Sequence, residues 1–94
     1  MVKNKTSNEI RTKILFFMWK NRYFNKRHTP ITNICNKLSE IPCKLINKEI
    51  KKLHAERIIG FKKTNHGLDV YLNYKMKKEI RIAIAERLDE YYSF

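Results

Sequence analysis

The side chains with the clearest chemical potential in this sequence are lysines spaced for one face of a helix. Lys44, Lys48 and Lys51 stand at positions i, i+4 and i+7, which share a face at about 100° of rotation per residue. The apolar residues of the same segment lie on nearly the opposite side: Ile46, Ile50 and Leu53. A helix in this segment would turn one face to a core and the other to a polyanion.

The distribution of charge along the chain follows the same division. The formal net charge is +12. Residues 1–63 hold 16 Lys and Arg against 4 Asp and Glu, a balance of +12, whereas residues 64–94 hold 5 of each. A basic excess confined to two-thirds of a small chain is the footprint expected of a polyanion-binding surface. The alternative, that lysine serves solubility alone, stays open at this point.

Catalytic and metal chemistry has no comparable signal. His28, His54 and His66 are too scattered for a metal or catalytic cluster, and no Ser-His-Asp, paired-carboxylate or glycine-rich phosphate-binding arrangement is visible. Two cysteines, Cys35 and Cys43, are too few for a disulfide framework or a zinc site, so we expect both to be reduced packing residues. The sequence therefore predicts a protein that is not an enzyme and that has neither a metal site nor a cofactor.

Apolar periodicity and capping residues predict the elements that position the lysines. Helix starts are indicated by a capping box of Thr6 and Glu9, by the N-cap and proline of Thr29-Pro30, and by Pro42. The predicted order is a helix over 7–23, a very short strand within 26–29, helices over 30–38 and 42–56, strands over 57–63 and 68–73, and a helix over 75–92. The fold class is mainly α with a small β-hairpin, an α+β fold.

Both terminal helices carry a wider apolar surface than a helix on one small core requires. We expect part of that surface to meet a second copy of the chain in a homodimer. The residues predicted for the dimer interface are Leu15, Met18, Trp19, Ile80, Ile84, Leu88 and Tyr91.

The stretch ITNICNKLSEIPCKLINKEIKKLHAERIIGF, residues 31–61, resembles the winged helix-turn-helix repressors of the MarR-like and ArsR-like kind. The resemblance covers about a third of the chain and lies in pattern rather than in a fixed motif. It implies that 42–56 is a recognition helix, that 64–67 is the tip of the wing, and that the terminal helices build a two-fold dimer. The metal-sensing members use Cys and His or carboxylate clusters that have no counterpart here, because Cys35 is expected to face the core and Cys43 stands alone.

The predicted function is sequence-specific binding of double-stranded DNA by a dimeric transcriptional regulator. The recognition helix would enter the major groove, and the wing would contact the backbone or the minor groove. The residues predicted to contact DNA are Lys44, Asn47, Lys48, Lys51 and Lys52 on the helix, and Lys62, Lys63 and His66 on the wing. Lys75 and Lys77, in the neutral tail, are expected to matter much less.

The chain is expected to form a single domain over 1–94, with a flexible basic lead-in over 1–6 and a dimerisation helix over 75–92. A cytoplasmic location is predicted, because the sequence has neither a membrane-length apolar run nor a signal-peptide core. Two other functions stay open: a winged helix used as a protein-interaction module, and RNA binding. An effector is unknown, and an aromatic-lined ligand pocket between the first and last helices also stays open.

Overall fold

The computed structural model describes residues 6–92 and contains α-helices together with a three-stranded antiparallel sheet. The helices and strands follow in the order α1 (Ser7–Lys20), β1 (Thr29–Pro30), α2 (Ile31–Lys37), α3 (Cys43–Ala55), β2 (Ile59–Thr64), β3 (Gly67–Leu72), a 3₁₀ turn (Tyr74–Met76), α4 (Lys77–Ala83) and α5 (Ala85–Tyr91). The predicted α+β class is confirmed. None of the helices in the described part of the chain has the length and apolar character needed to cross a bilayer.

The sheet has the strand order β1-β3-β2, so the hairpin of β2 and β3 is joined on its β3 side by the two-residue strand β1. Thr64 pairs with Gly67 at the tip, and Ile59 pairs with Leu72 at the base. The hairpin expected from the sequence is confirmed, with β2 beginning two residues later than predicted. Val70 and Leu72 are fully buried, whereas Leu68, near the tip, is 43% exposed.

Helix α1 begins as predicted and ends earlier than predicted. The capping box of Thr6 and Glu9 is present, so Thr6 is the one residue of the predicted lead-in that the structure describes. The helix stops at Lys20 because Arg22 adopts a left-handed backbone, with φ of 58°, and the N–H of Tyr23 donates to the carbonyl of Met18.

Helices α2 and α3 each begin directly after a proline. Thr29 was expected to cap α2 and does not, because it lies in β1, where its hydroxyl accepts a hydrogen bond of 2.9 Å from the Asn33 amide. Pro30 and Pro42 are the N-cap residues, and neither provides a side-chain hydrogen bond. Each proline thus precedes the first helical residue and does not occupy the first helical position expected from the sequence, and neither helix has a polar cap.

The expectation of one helix over 75–92 is wrong. A 3₁₀ turn comes first, and α4 and α5 are separated at Ile84, whose backbone leaves the helical range at φ of −111° and ψ of 13°. Ile84 is fully buried, and Ile80 and Leu88 on either side of it are also buried. The bend thus lets two short helices each keep an apolar side chain in the same core.

Most of the residues predicted for the dimer interface are covered by the chain itself. Five of the seven residues predicted for a dimer interface are buried within this one chain: Leu15, Met18, Ile80, Ile84 and Leu88. They belong to a core cluster that also includes the apolar residues of α3 and of the hairpin. Trp19 is half-buried and Tyr91 is 49% exposed, so these two remain accessible to a partner.

The cysteines are not reduced as expected, because Cys35 of α2 and Cys43 of α3 form a disulfide. The tight connection between the two helices brings their Cα atoms to 5.2 Å, within the range a disulfide can span. Cys35 is half-buried and Cys43 is exposed. The bond ties the first residue of α3 to the helix before it.

Replacing both cysteines with serine is expected to lower the free energy of unfolding by about 2.5 kcal/mol, because the bond restricts the unfolded chain over a short loop. Urea denaturation followed by circular dichroism measures this change. Adding a dithiol reductant to the unchanged protein should produce the same loss, and adding it to the serine variant should produce none. Equal stability of the two proteins without reductant would contradict the prediction.

Candidate nucleic-acid interface

Helix α3 has the two faces predicted from its sequence. Ile46, Ile50 and Leu53 are fully buried against the core. We call the opposite, exposed row the lysine face, and it consists of Lys44, Lys48 and Lys51. The helix that carries the lysine face packs against three elements, α1, α2 and β2.

An ion-pair network between α1 and α3 holds the carboxylates of α3 away from the lysine face. Glu49 is 2% exposed and accepts hydrogen bonds from Arg11 Nε at 3.0 Å and from the Ser7 hydroxyl at 2.5 Å. The two Nη atoms of Arg11 donate to the two oxygens of Glu56, at 2.8 and 2.5 Å. Arg11 therefore binds both glutamates on the side of α3 that faces α1. We call this network the Arg11 clamp.

The hydrogen bonds between Arg11 and Glu56 also shift the pKa values of these two groups. The hydrogen bond to Glu56 raises the pKa of Arg11 above its ordinary value, with a smaller opposing effect from burial. The same hydrogen bond lowers the pKa of Glu56. Both shifts favour the charged forms of the two groups.

Two predicted DNA-contacting residues of α3 are engaged within the protein. Lys52 Nζ lies 3.5 Å from the Ser7 hydroxyl and 4.0 Å from Glu49 Oε1, so it points towards the Arg11 clamp. The side-chain amide of Asn47 donates to the carbonyl of Cys43 at 3.0 Å, one turn back in the same helix. Neither side chain extends freely from the lysine face in this conformation.

The predicted wing residues are exposed at and near the tip of the hairpin. Lys62 and Lys63 are neighbours in β2, so their side chains leave opposite faces of the strand. The turn that carries His66 is ordered by Thr64, whose hydroxyl accepts from the His66 N–H at 3.2 Å and donates to the Gly67 carbonyl at 3.1 Å. The hairpin thus presents cations on both faces.

A cleft of about 850 Å³ follows β2, the strand at one end of the sheet, and gathers cations that sequence reasoning missed. We call it the β2 cleft, and its charged or ring-bearing lining residues are His54, Arg57, Phe61, Lys62, Lys63, Tyr71 and Lys75. Lys75, which was expected to matter little for binding, shares this cleft with the predicted wing residues Lys62 and Lys63. Arg57 precedes the hairpin and Lys75 follows it, and a hairpin brings its two ends together. The positions of these two residues in the sequence could therefore have predicted that they lie in the same cleft.

No arrangement of His, Cys, Asp and Glu that could hold a metal ion occurs within residues 6–92. Comparison with protein-family models, with curated proteins and with solved structures finds no match for this chain. The site is therefore interpreted from its own geometry and charge.

Replacing Arg11 with alanine is expected to lower the free energy of unfolding by about 3 kcal/mol, because the buried Glu49 carboxylate loses its hydrogen-bonded cation and keeps only the Lys52 ammonium at 4.0 Å. The matched control is Lys13→Ala, which breaks a more exposed pair with Glu40, 3.0 Å long, and should lose less than about 1 kcal/mol. Urea denaturation compares the two. Adding Glu49→Gln to the Arg11 variant should restore part of the loss, and equal losses from Arg11→Ala and Lys13→Ala would contradict the assignment.

The contribution of Glu56 to stability is expected to disappear in acid. Its pKa is lower in the folded protein than the ordinary value of 4.5, so the stabilisation is complete above that value and is lost as the pH falls through the folded pKa. At pH 7, Glu56→Gln should be less stable than the unchanged protein by under about 1 kcal/mol, since the pair is partly exposed to solvent. Urea midpoints measured from pH 7 down to about pH 3 should converge, and a difference that stays constant would refute the prediction.

Proposed function

We propose that this chain is a winged helix-turn-helix domain that binds double-stranded DNA and regulates transcription. The order of elements supports the proposal: α2 and α3 are joined by a tight turn, and α3 leads directly into a hairpin whose sheet is completed by a short strand from before α2. In a winged helix, α3 is the recognition helix and the hairpin of β2 and β3 is the wing.

The observation that carries the proposal is the lysine face with its neighbouring carboxylates withdrawn into the Arg11 clamp. Lys44 and Lys51 are seven residues apart, which corresponds to about 10 Å along a helix, or about three base pairs of DNA. An α-helix fits the major groove, where lysine reaches guanine or a phosphate oxygen. A row of exposed cations without adjacent negative charge suits that groove.

Specificity in this proposal rests on Lys44, Asn47 and Lys48. Asn47 would read adenine with its amide, which needs both the N–H donor and the carbonyl acceptor. That reading requires Asn47 to give up its present hydrogen bond to the Cys43 carbonyl, an exchange of one neutral hydrogen bond for another. Lys62, Lys63 and His66 would contact the backbone or the minor groove and add affinity more than specificity.

The homodimer remains a prediction, and its interface would differ from the one expected from sequence. Trp19 and Tyr91 are the two predicted interface residues with accessible surface. Both line a 570 Å³ pocket beside the exposed Tyr92 and Tyr74. A dimer would therefore use this aromatic surface.

Replacing both Lys48 and Lys51 with alanine is expected to weaken duplex binding by tenfold or more and to reduce the slope of log affinity against log salt by about 2, since each phosphate contact contributes about 0.9. Fluorescence anisotropy of a labelled AT-rich duplex, titrated from about 50 to 200 mM salt, measures both quantities.

The matched control removes the same charge elsewhere, with Lys78→Ala and Arg81→Ala, two exposed residues of α4 outside the β2 cleft. Equal losses from the two double variants would show that net charge alone drives binding. The proposal also requires single-stranded RNA to bind more weakly than the duplex. If the unchanged protein binds no duplex at the lowest salt, the proposed function is wrong.

A further inference from the structure

The β2 cleft concentrates positive charge in a concave site. Arg57, Lys62, Lys63 and Lys75 all line it, and no Asp or Glu is among the described residues of its wall. Like charges gathered in this way repel one another, and a ligand that brings negative charge relieves that repulsion. The cleft is therefore suited to an anion.

The carboxylates best placed to neutralise these cations are bound elsewhere. Glu56, next to Arg57 in the sequence, is held by Arg11 through both oxygens. Asp69, directly across the hairpin from Lys62, is hydrogen-bonded to His28 Nδ1 at 2.7 Å. The cations of the cleft keep their charge available because both neighbours have other partners.

Arg57 occupies a backbone position that favours glycine. Its φ is 64°, and it ends α3 in a Schellman motif, in which the Arg57 N–H donates to the His54 carbonyl and the Ile58 N–H donates to the Leu53 carbonyl. A left-handed backbone conformation is unfavourable for residues other than glycine. The Asn73 amide donates to the Arg57 carbonyl at 2.9 Å, so the backbone of this cleft-lining residue is held in its left-handed conformation.

The β2 cleft is large enough for a small ligand. Its volume of about 850 Å³ is within the range of small-molecule pockets, which is about 300 to 1,000 Å³. The rings of His54 and Phe61 stack at 4.1 Å on one side. Gly60 allows the Tyr71 ring to lie across β2, because a Cβ at this position would collide with that ring.

We infer that the β2 cleft binds phosphate groups, with Arg57 and Lys75 as ligand-contacting residues, at a site separate from the lysine face. Guanidinium and ammonium groups are the side chains that recognise phosphate oxygens. The phosphates belong either to a nucleic-acid backbone or to a small polyphosphate of the nucleoside triphosphate class. The inference goes beyond the proposed function and does not depend on it.

The first experiment measures binding of inorganic tripolyphosphate by isothermal titration calorimetry to the unchanged protein and to Arg57→Gly. The variant is expected to lose at least tenfold in affinity while its melting temperature stays the same or rises, because glycine removes the left-handed strain. The matched control is Arg22→Gly, since Arg22 ends α1 in the same motif with φ of 58° and lies outside the cleft. This control should keep full affinity.

The second experiment distinguishes the two sources of phosphate with the duplex anisotropy assay. A salt slope reduced by about 2 in Arg57→Gly/Lys75→Ala would assign the cleft to the DNA backbone. An unchanged duplex slope with lost tripolyphosphate binding would assign it to a small polyphosphate. The inference is overturned if Arg57→Gly binds both probes as well as the unchanged protein does, or if Arg22→Gly loses as much as Arg57→Gly.

These outcomes separate this inference from the proposed function. Tripolyphosphate binding that depends on Arg57, in a protein that binds no duplex, would leave the inference standing and remove the proposed function. The opposite result is also distinguishable. If duplex binding depends on Lys48 and Lys51 but not on Arg57 or Lys75, and the protein binds no tripolyphosphate, the proposed function stands and the inference is wrong.

Discussion

The attachment of α3 to α1 through Arg11 is the interaction on which the rest of the structure depends. One guanidinium on the first helix binds a buried glutamate in the middle of α3 and a second glutamate at its end. This fixes the rotation of α3 about its own axis, because Glu49 and Glu56 must both face α1. The apolar row then faces the core, and the lysines face solvent. The ion pairs of Arg11 therefore orient both the buried apolar row of α3 and its exposed lysine face.

The sequence was most informative where a pattern is local. The spacing of Ile46, Ile50 and Leu53 predicts the buried side of α3, and the structure confirms it. Apolar periodicity predicts which residues of a helix are buried, but not which part of the protein covers them. For this reason the wide apolar surfaces of the terminal helices suggested a partner chain. Ile84 shows the difference, since a bend of the backbone at this residue places it in the core of its own chain.

The features that sequence reasoning missed depend on residues distant along the chain or on the path of a loop. From its residue type alone, Glu49 would be predicted to lie on the surface. It is buried because Arg11, 38 positions earlier in the sequence, binds it in the folded protein. Arg57 and Lys75 line the same cleft because the hairpin between them brings its two ends together. Spacing within a helix therefore predicted the lysine face, whereas the β2 cleft required the tertiary arrangement.

The bond between Cys35 and Cys43 links the lifetime of the folded protein to its surroundings. Disulfides persist in oxidising compartments and are rare where glutathione and thioredoxin keep thiols reduced. Small domains are stable by only about 5 to 15 kcal/mol, so losing about 2.5 kcal/mol when this link opens raises the population of unfolded molecules by well over tenfold. Proteases and chaperones act on that population. The abundance of this protein in a cell would consequently reflect the thiol balance of the compartment in which it folds.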